Sequence, residues 1–183
     1  MDKIKKLSCF LKWVFTLVFW AWPIVLFVIW FQDEKNFPGA IGVTIANSLP
    51  RNLSFYVTHP LSLETKIWGF LVSGIPACVG MFIAFSLMRL FACYERGGIF
   101  TQGSIVQIRR VGMMMFVWAL LNPLYQILMS FVLTFDNPVG QRMISLSFDF
   151  DYFRNLVLAG LVFLIAHIMR EALKLKDEQA LTI

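Results

Sequence analysis

Polar residues embedded in long apolar runs are the first place to look for chemistry in this chain. Asn122, Gln126 and His167 are such residues. A polar side chain inside hydrocarbon is costly, so it marks either a functional site or a hydrogen bond that holds helices together. Asn122 and Gln126 are four apart and share one helix face, with Pro123 between them freeing the carbonyl of Ala119. His167 lies in the fourth apolar run, at a different depth by helical rise. Two readings stand. Packing glue across helices is one; a polar face for moving a small molecule, lipid or ion is the other. No Asp or Glu falls in the core of any apolar run, which counts against proton-coupled transport. No carboxylate pair or Ser/His/Asp group occurs at usable spacing, so an enzyme is not expected. Cys9, Cys78 and Cys93 form no Cys-x-x-Cys motif, and His59 and His167 fall on opposite sides of the membrane, so neither metal nor cofactor is expected.

A second chemistry-bearing stretch is Tyr94-Glu95-Arg96-Gly97-Gly98-Ile99-Phe100-Thr101-Gln102-Gly103-Ser104. Gly97 and Gly98 should end one helix in a left-handed cap, and Thr101 or Ser104 should start the next. Ile99 and Phe100 are apolar in a short loop and should insert into the bundle or the headgroup layer. The glycines could cradle a phosphate, but no Walker lysine and no preceding strand accompany them. The chain ends in a charged helical stretch in which Glu171 and Lys174 can pair at i,i+3, followed by an apolar Leu181-Thr182-Ile183. An apolar end argues for docking on the chain's own turn or on a partner.

The elements that must position these groups follow from composition. The 183 residues are 58% hydrophobic and 15% charged, with mean hydropathy +0.71. Ordinary soluble domains are less apolar and more charged. About 20 apolar residues cross roughly 30 Å of hydrocarbon. Four stretches qualify: about 10–31, 67–91, 111–135 and 153–172. The first follows Lys3, Lys5 and Lys6 but is too long for a signal-peptide core and has no cleavage-like end, so it is expected to be retained. Basic residues cluster at the N-terminus, in the loop of residues 92–110 with its flanks, and after the fourth span; the other side has fewer. The positive-inside rule then places both termini in the cytoplasm, with loops 32–66 and 136–152 outside and the tail 173–183 inside. The net charge of +5 is the basic inner rim that topology and anionic lipid require, not a signal of direct nucleic-acid binding.

The outer loops carry a different period. Residues 41–46, 54–58 and 144–151 alternate apolar and polar side chains. Period two argues for half-buried strands, so a small antiparallel sheet from the 1–2 and 3–4 loops is expected to cap the outer helix ends. In the first span, Trp30 suits the outer interface and Pro23 should kink the helix. Ser73, Gly74 and Pro76 should bend the second span and let a neighbour approach. The fold class is therefore an all-α membrane protein of four helices in one domain, with that sheet.

The run YERGGIFTQGSIVQIRRVG and the ending LVFLIAHIMREALKLKDEQALTI resemble the bacterial domain-of-unknown-function 2975 family. The matching positions are Gly98, Ile99, Phe100 and Thr101, then Lys174, Lys176, Glu178, Leu181, Thr182 and Ile183. Ala172 departs from the glycine many members have there and stiffens the helix end. The resemblance implies a four-span protein of the bacterial inner membrane and no particular activity. Some members are encoded near small helix-turn-helix regulators, which implies a cytoplasmic DNA-binding protein as partner. The expected partner surface is Arg96, Gly98, Ile99, Phe100, Thr101, Lys174, Leu181 and Ile183. Besides the lipid bilayer, self-association is compatible with the sequence.

Overall fold

The computed structural model describes residues 2–31, 61–98, 101–138, 140–146, 148 and 150–181. Four helices follow one another: α1 (Asp2–Phe31), α2 (Leu63–Glu95), α3 (Gln102–Leu133) and α4 (Phe150–Leu181). They contain 30, 33, 32 and 32 residues. At 1.5 Å per residue each is about 45–50 Å long, enough for the hydrocarbon and both headgroup layers. Large apolar side chains such as Trp13, Leu17, Trp20, Ile24, Leu161 and Ile168 stand exposed along them. Such continuous apolar surface is not sustained in water. All four helices are long and apolar enough to cross a membrane. The chain is a multi-pass membrane protein.

The chain divides into two compact units. One carries both termini and residues 79–117 and 154–183; the other spans residues 22–78 and 118–153. In the termini-side unit, Leu90, Ile108 and Ala166 form the buried core, backed by Leu87, Tyr94, Val162 and Met169. Phe15 stacks on Phe91 with centroids 5.7 Å apart. Lys12 pairs with Glu95 across 83 residues of sequence, tying the start of α1 to the end of α2. Both side chains are about one-third exposed, so solvent screens the pair and its contribution to stability is small.

In the loop-side unit the core is Trp30, Leu61, Tyr125, Met129 and Leu133. Trp30 is not an interfacial belt residue, as its position near the end of the first span suggested. It is fully buried, and its Nε1–H donates to Ser73 Oγ at 3.1 Å. The indole lies flush against Gly69, where a Cβ would come within 2.0 Å of the ring. The expected close approach at Gly74 is absent among the described residues, since a Cβ there would meet nothing of them within 4 Å. Ser73 serves instead as the hydrogen-bond partner that a buried indole needs.

Among the described residues the expected extracytoplasmic sheet does not form. No strand occurs among the described residues, and the alternating segments 41–46 and 54–58 lie outside them. The third segment is described in part: residues 144–146 belong to no regular element, and the chain there is strapped to the end of the third helix. Met143 N–H donates to Thr134 Oγ1 at 3.3 Å, and Ser145 N–H donates to Ser130 Oγ at 3.1 Å. Thr134 Oγ1 also donates to Ser130 O at 2.8 Å, and Ser130 Oγ to Ile127 O at 2.9 Å. The physical reason is a match of spacings. Alternate amides of an extended chain are about 6.6 Å apart. Helix positions i and i+4 are about 6 Å apart along the axis. The Ser130 hydroxyl on α3 and the Thr134 hydroxyl just after it therefore satisfy the amides that a neighbouring strand would otherwise take, while Ile144, Leu146 and Phe148 remain exposed.

α2 begins with Ser62 as N-cap, its Oγ accepting the Thr65 N–H at 3.2 Å. Asp136, in the turn after α3, accepts the Ser62 N–H at 2.8 Å. Partial burial pushes the Asp136 carboxyl up, but the Ser62 N–H and the Thr65 and Ser62 hydroxyls outweigh it and hold the group below the ordinary aspartate value. A depressed carboxylate contributes stability that is present above its unfolded pKa and lost as pH falls through the folded one. The Ser62 amide should therefore stay protected from hydrogen exchange between pH 5 and 8 and lose protection below about pH 4, after correction for intrinsic exchange rates. Asp136→Asn should flatten that response; an unchanged pH dependence would show that the carboxylate does not hold the cap.

Candidate functional site on the termini side

The turn between α2 and α3 is built by its own backbone. Gly97 adopts φ +82°. Its N–H donates to Tyr94 O, and the Gly98 N–H donates to Cys93 O, both at 3.0 Å. These two bonds define a Schellman cap with Gly97 in the left-handed position. Thr101 then caps α3: its Oγ1 accepts the Ser104 N–H at 3.4 Å. The two ends are joined through one carbonyl, because Gly98 O accepts both Thr101 Oγ1–H at 3.1 Å and Ser104 Oγ–H at 2.7 Å. Ser104 is fully buried, whereas Arg96 and Thr101 are exposed. These bonds tie Gly97 and Gly98 to the end of α2 and the Gly98 carbonyl to the start of α3. Gly97→Ala should cost about 1 kcal/mol of stability, since only glycine adopts that φ without penalty. Gly97→Asn should cost less, and a thermal-melt comparison in detergent distinguishes them.

The other expected partner residues divide by position. Ile99, Phe100 and Ile183 lie outside the described residues. Leu181 is the last residue of α4. Lys174 is exposed and pairs with Glu171 at 2.9 Å, the i,i+3 contact its spacing suggests. Local pairing of this kind organises the helix surface without tethering it elsewhere.

The intramembrane polar residues fall in different units. Gln126 Nε2–H donates to Asn122 Oδ1 at 2.9 Å within α3, in the loop-side unit. Gln126 is buried and Asn122 half-buried. His167 belongs to the termini-side unit and is exposed on α4. Ser86 Oγ and Gln107 Oε1 are buried polar atoms with no hydrogen-bond partner among the described residues, both in the termini-side unit. No group of three His, Cys, Asp or Glu side chains is close enough to hold a metal among the described residues. Residue spacing missed the Lys12–Glu95 pair and the Ser62–Asp136 cap, because both join positions far apart in the chain. The Ser62-x-x-Thr65 pattern ahead of an apolar run was the one local signal available.

The sequence model of a family described as proteins of unknown function, DUF2975, matches residues 1–183. The chain belongs to the DUF2975 family. Searches of curated proteins and of solved structures return no match. In this DUF2975 protein the Gly-Gly turn and the α4 end are therefore read from their own geometry. That geometry includes a Schellman cap at Gly97, a Thr101 cap and exposed basic side chains.

Proposed function

We propose that this DUF2975 protein is a non-catalytic protein of the bacterial inner membrane whose turn and α4 end bind a cytoplasmic partner, such as a small DNA-binding regulator. Both termini lie in the cytoplasm, following the excess of Lys and Arg on that side. The observation that carries the reading is the turn itself. Two hydroxyls on the Gly98 carbonyl and a Schellman cap order the backbone of residues 93–98 and 101–104. A surface already ordered before binding loses less entropy on association. Beside it, Arg96 is exposed and charged. That suits a protein face with acidic groups.

The test is a cross-linking comparison in native membranes between the full chain and a chain ending at Lys176. The expected result is a helix-turn-helix protein linked near Arg96 in the full chain, and a loss of at least about tenfold in the shortened one. Equal or empty partner sets from both would refute the reading. The transport alternative has weaker support, because Asn122 and Gln126 bond to each other.

A further inference from the structure

An apolar groove of about 420 Å³ opens in the loop-side unit between the first turns of α2 and the last turns of α3. Its walls are Trp68, Val72, Leu128, Phe131, Val132 and Phe135. Trp68, Phe131 and Phe135 are exposed, so the groove faces the surroundings rather than the core. Its size is that of a small-ligand pocket. Its place at the helix ends puts it where acyl chains meet headgroups.

What distinguishes it from an ordinary lipid-facing crevice is the charge at one end. The Arg142 guanidinium lies over the Phe135 ring, 5.1 Å from its centroid. Arg142 sits on the strap held to α3 by Ser130 and Thr134, which limits how far it can swing. It makes no ion pair among the described residues. The neighbouring carboxylate, Asp136, is engaged by Ser62. A cation fixed at the mouth of an apolar groove complements a phosphate joined to a hydrocarbon chain.

We infer that this groove is a glycerophospholipid site, with one acyl chain between α2 and α3 and the lipid phosphate on Arg142. The site is separate from the partner surface, so either can fail without the other.

Native mass spectrometry of the full chain in mild detergent tests it, with palmitoyl-oleoyl phosphatidylglycerol and the diacylglycerol of the same chains as probes. The expected result is one phospholipid adduct per chain, favoured over diacylglycerol by about tenfold. Arg142→Gln should abolish that preference. Val72→Trp and Val132→Trp, which fill the groove from opposite walls, should each reduce the adduct about tenfold. If either lowers thermal stability, a photoreactive acyl chain on the unaltered protein reads the same site and should label Trp68 or Phe131. An absent adduct, an adduct indifferent to both filling variants, a preference that survives Arg142→Gln, or labelling elsewhere would each overturn the inference. A two-chain species broken by Val72→Trp would put a second copy in the groove and overturn it as well.

Discussion

Gly69→Ala should destabilise the protein by about 3 kcal/mol, a large effect for adding one methyl group. The added Cβ would lie 2.0–2.6 Å from three atoms of the Trp30 six-membered ring. No small shift relieves contacts that close. The indole is fully buried and rigid, and Ser73 anchors its Nε1–H. Relief requires expelling the ring, which forfeits both the packing and the hydrogen bond. Because the clash lies with the ring, Trp30→Leu should rescue it. Trp30→Leu alone should cost about 2–4 kcal/mol through the cavity it leaves. The double variant should be at least about 1 kcal/mol more stable than the sum of the two single losses. Gly74→Ala, five residues on, is the control. A Cβ there meets nothing among the described residues within 4 Å, and alanine is the better helix former, so stability should hold or rise slightly. The measurement is thermal or SDS-induced unfolding in detergent. Additive losses in the double variant would mean that Gly69 and Trp30 are not in contact.

Thr134→Val should release the strap. The side chain is fully buried, and its hydroxyl serves Met143 N–H while donating to Ser130 O. Valine keeps the shape and removes the oxygen, leaving the Met143 amide without its partner. Met143 is an exposed residue, so water takes over part of the lost bond and the cost is about 1 kcal/mol. Hydrogen exchange at Met143 should accelerate several-fold, since local opening then costs less. Ser130→Ala should do the same at Ser145, whose N–H it accepts at 3.1 Å. The core around Trp30 and Tyr125 should keep its protection in both variants. If Met143 exchange is unchanged by Thr134→Val, the strap is not held by that hydroxyl. The same variant should weaken phospholipid retention, because Arg142 rides on the strap.

These two sites show where local pattern stops being informative. The period-two alternation of residues 144–151 pointed to a strand, and no strand occurs there among the residues described. Alternation reports only that successive side chains point opposite ways. It says nothing about whether the partner for the backbone is a strand or a helix. Ser130 and Thr134 look like ordinary hydroxyls in a span, yet their i,i+4 spacing is what receives the strap. Trp30 illustrates the converse. A tryptophan near a span end has two stable environments, the headgroup layer and a core with a hydrogen-bond acceptor. The choice depends on Gly69 and Ser73, some forty residues away in the chain.

What the sequence determined by itself is whatever depends on composition and short-range spacing. Four runs of sufficient length and hydropathy specify four membrane helices. Gly97-Gly98 specifies the end of α2, because φ of +82° is open to glycine and strained for other residues. Thr101-x-x-Ser104 specifies the start of α3, and the spacing of Glu171 and Lys174 specifies their pairing. Tertiary structure decided the contacts between residues remote in the chain: the Trp30 seat on Gly69 and Ser73, the Lys12–Glu95 pair, the Asp136 hold on Ser62, and the groove beside Arg142. The reason is that helix formation is read out within one turn of chain. A contact between helices depends on which faces meet, and several pairings of four apolar helices bury similar area. Close packing and hydrogen bonding of a few small and polar residues separate those alternatives.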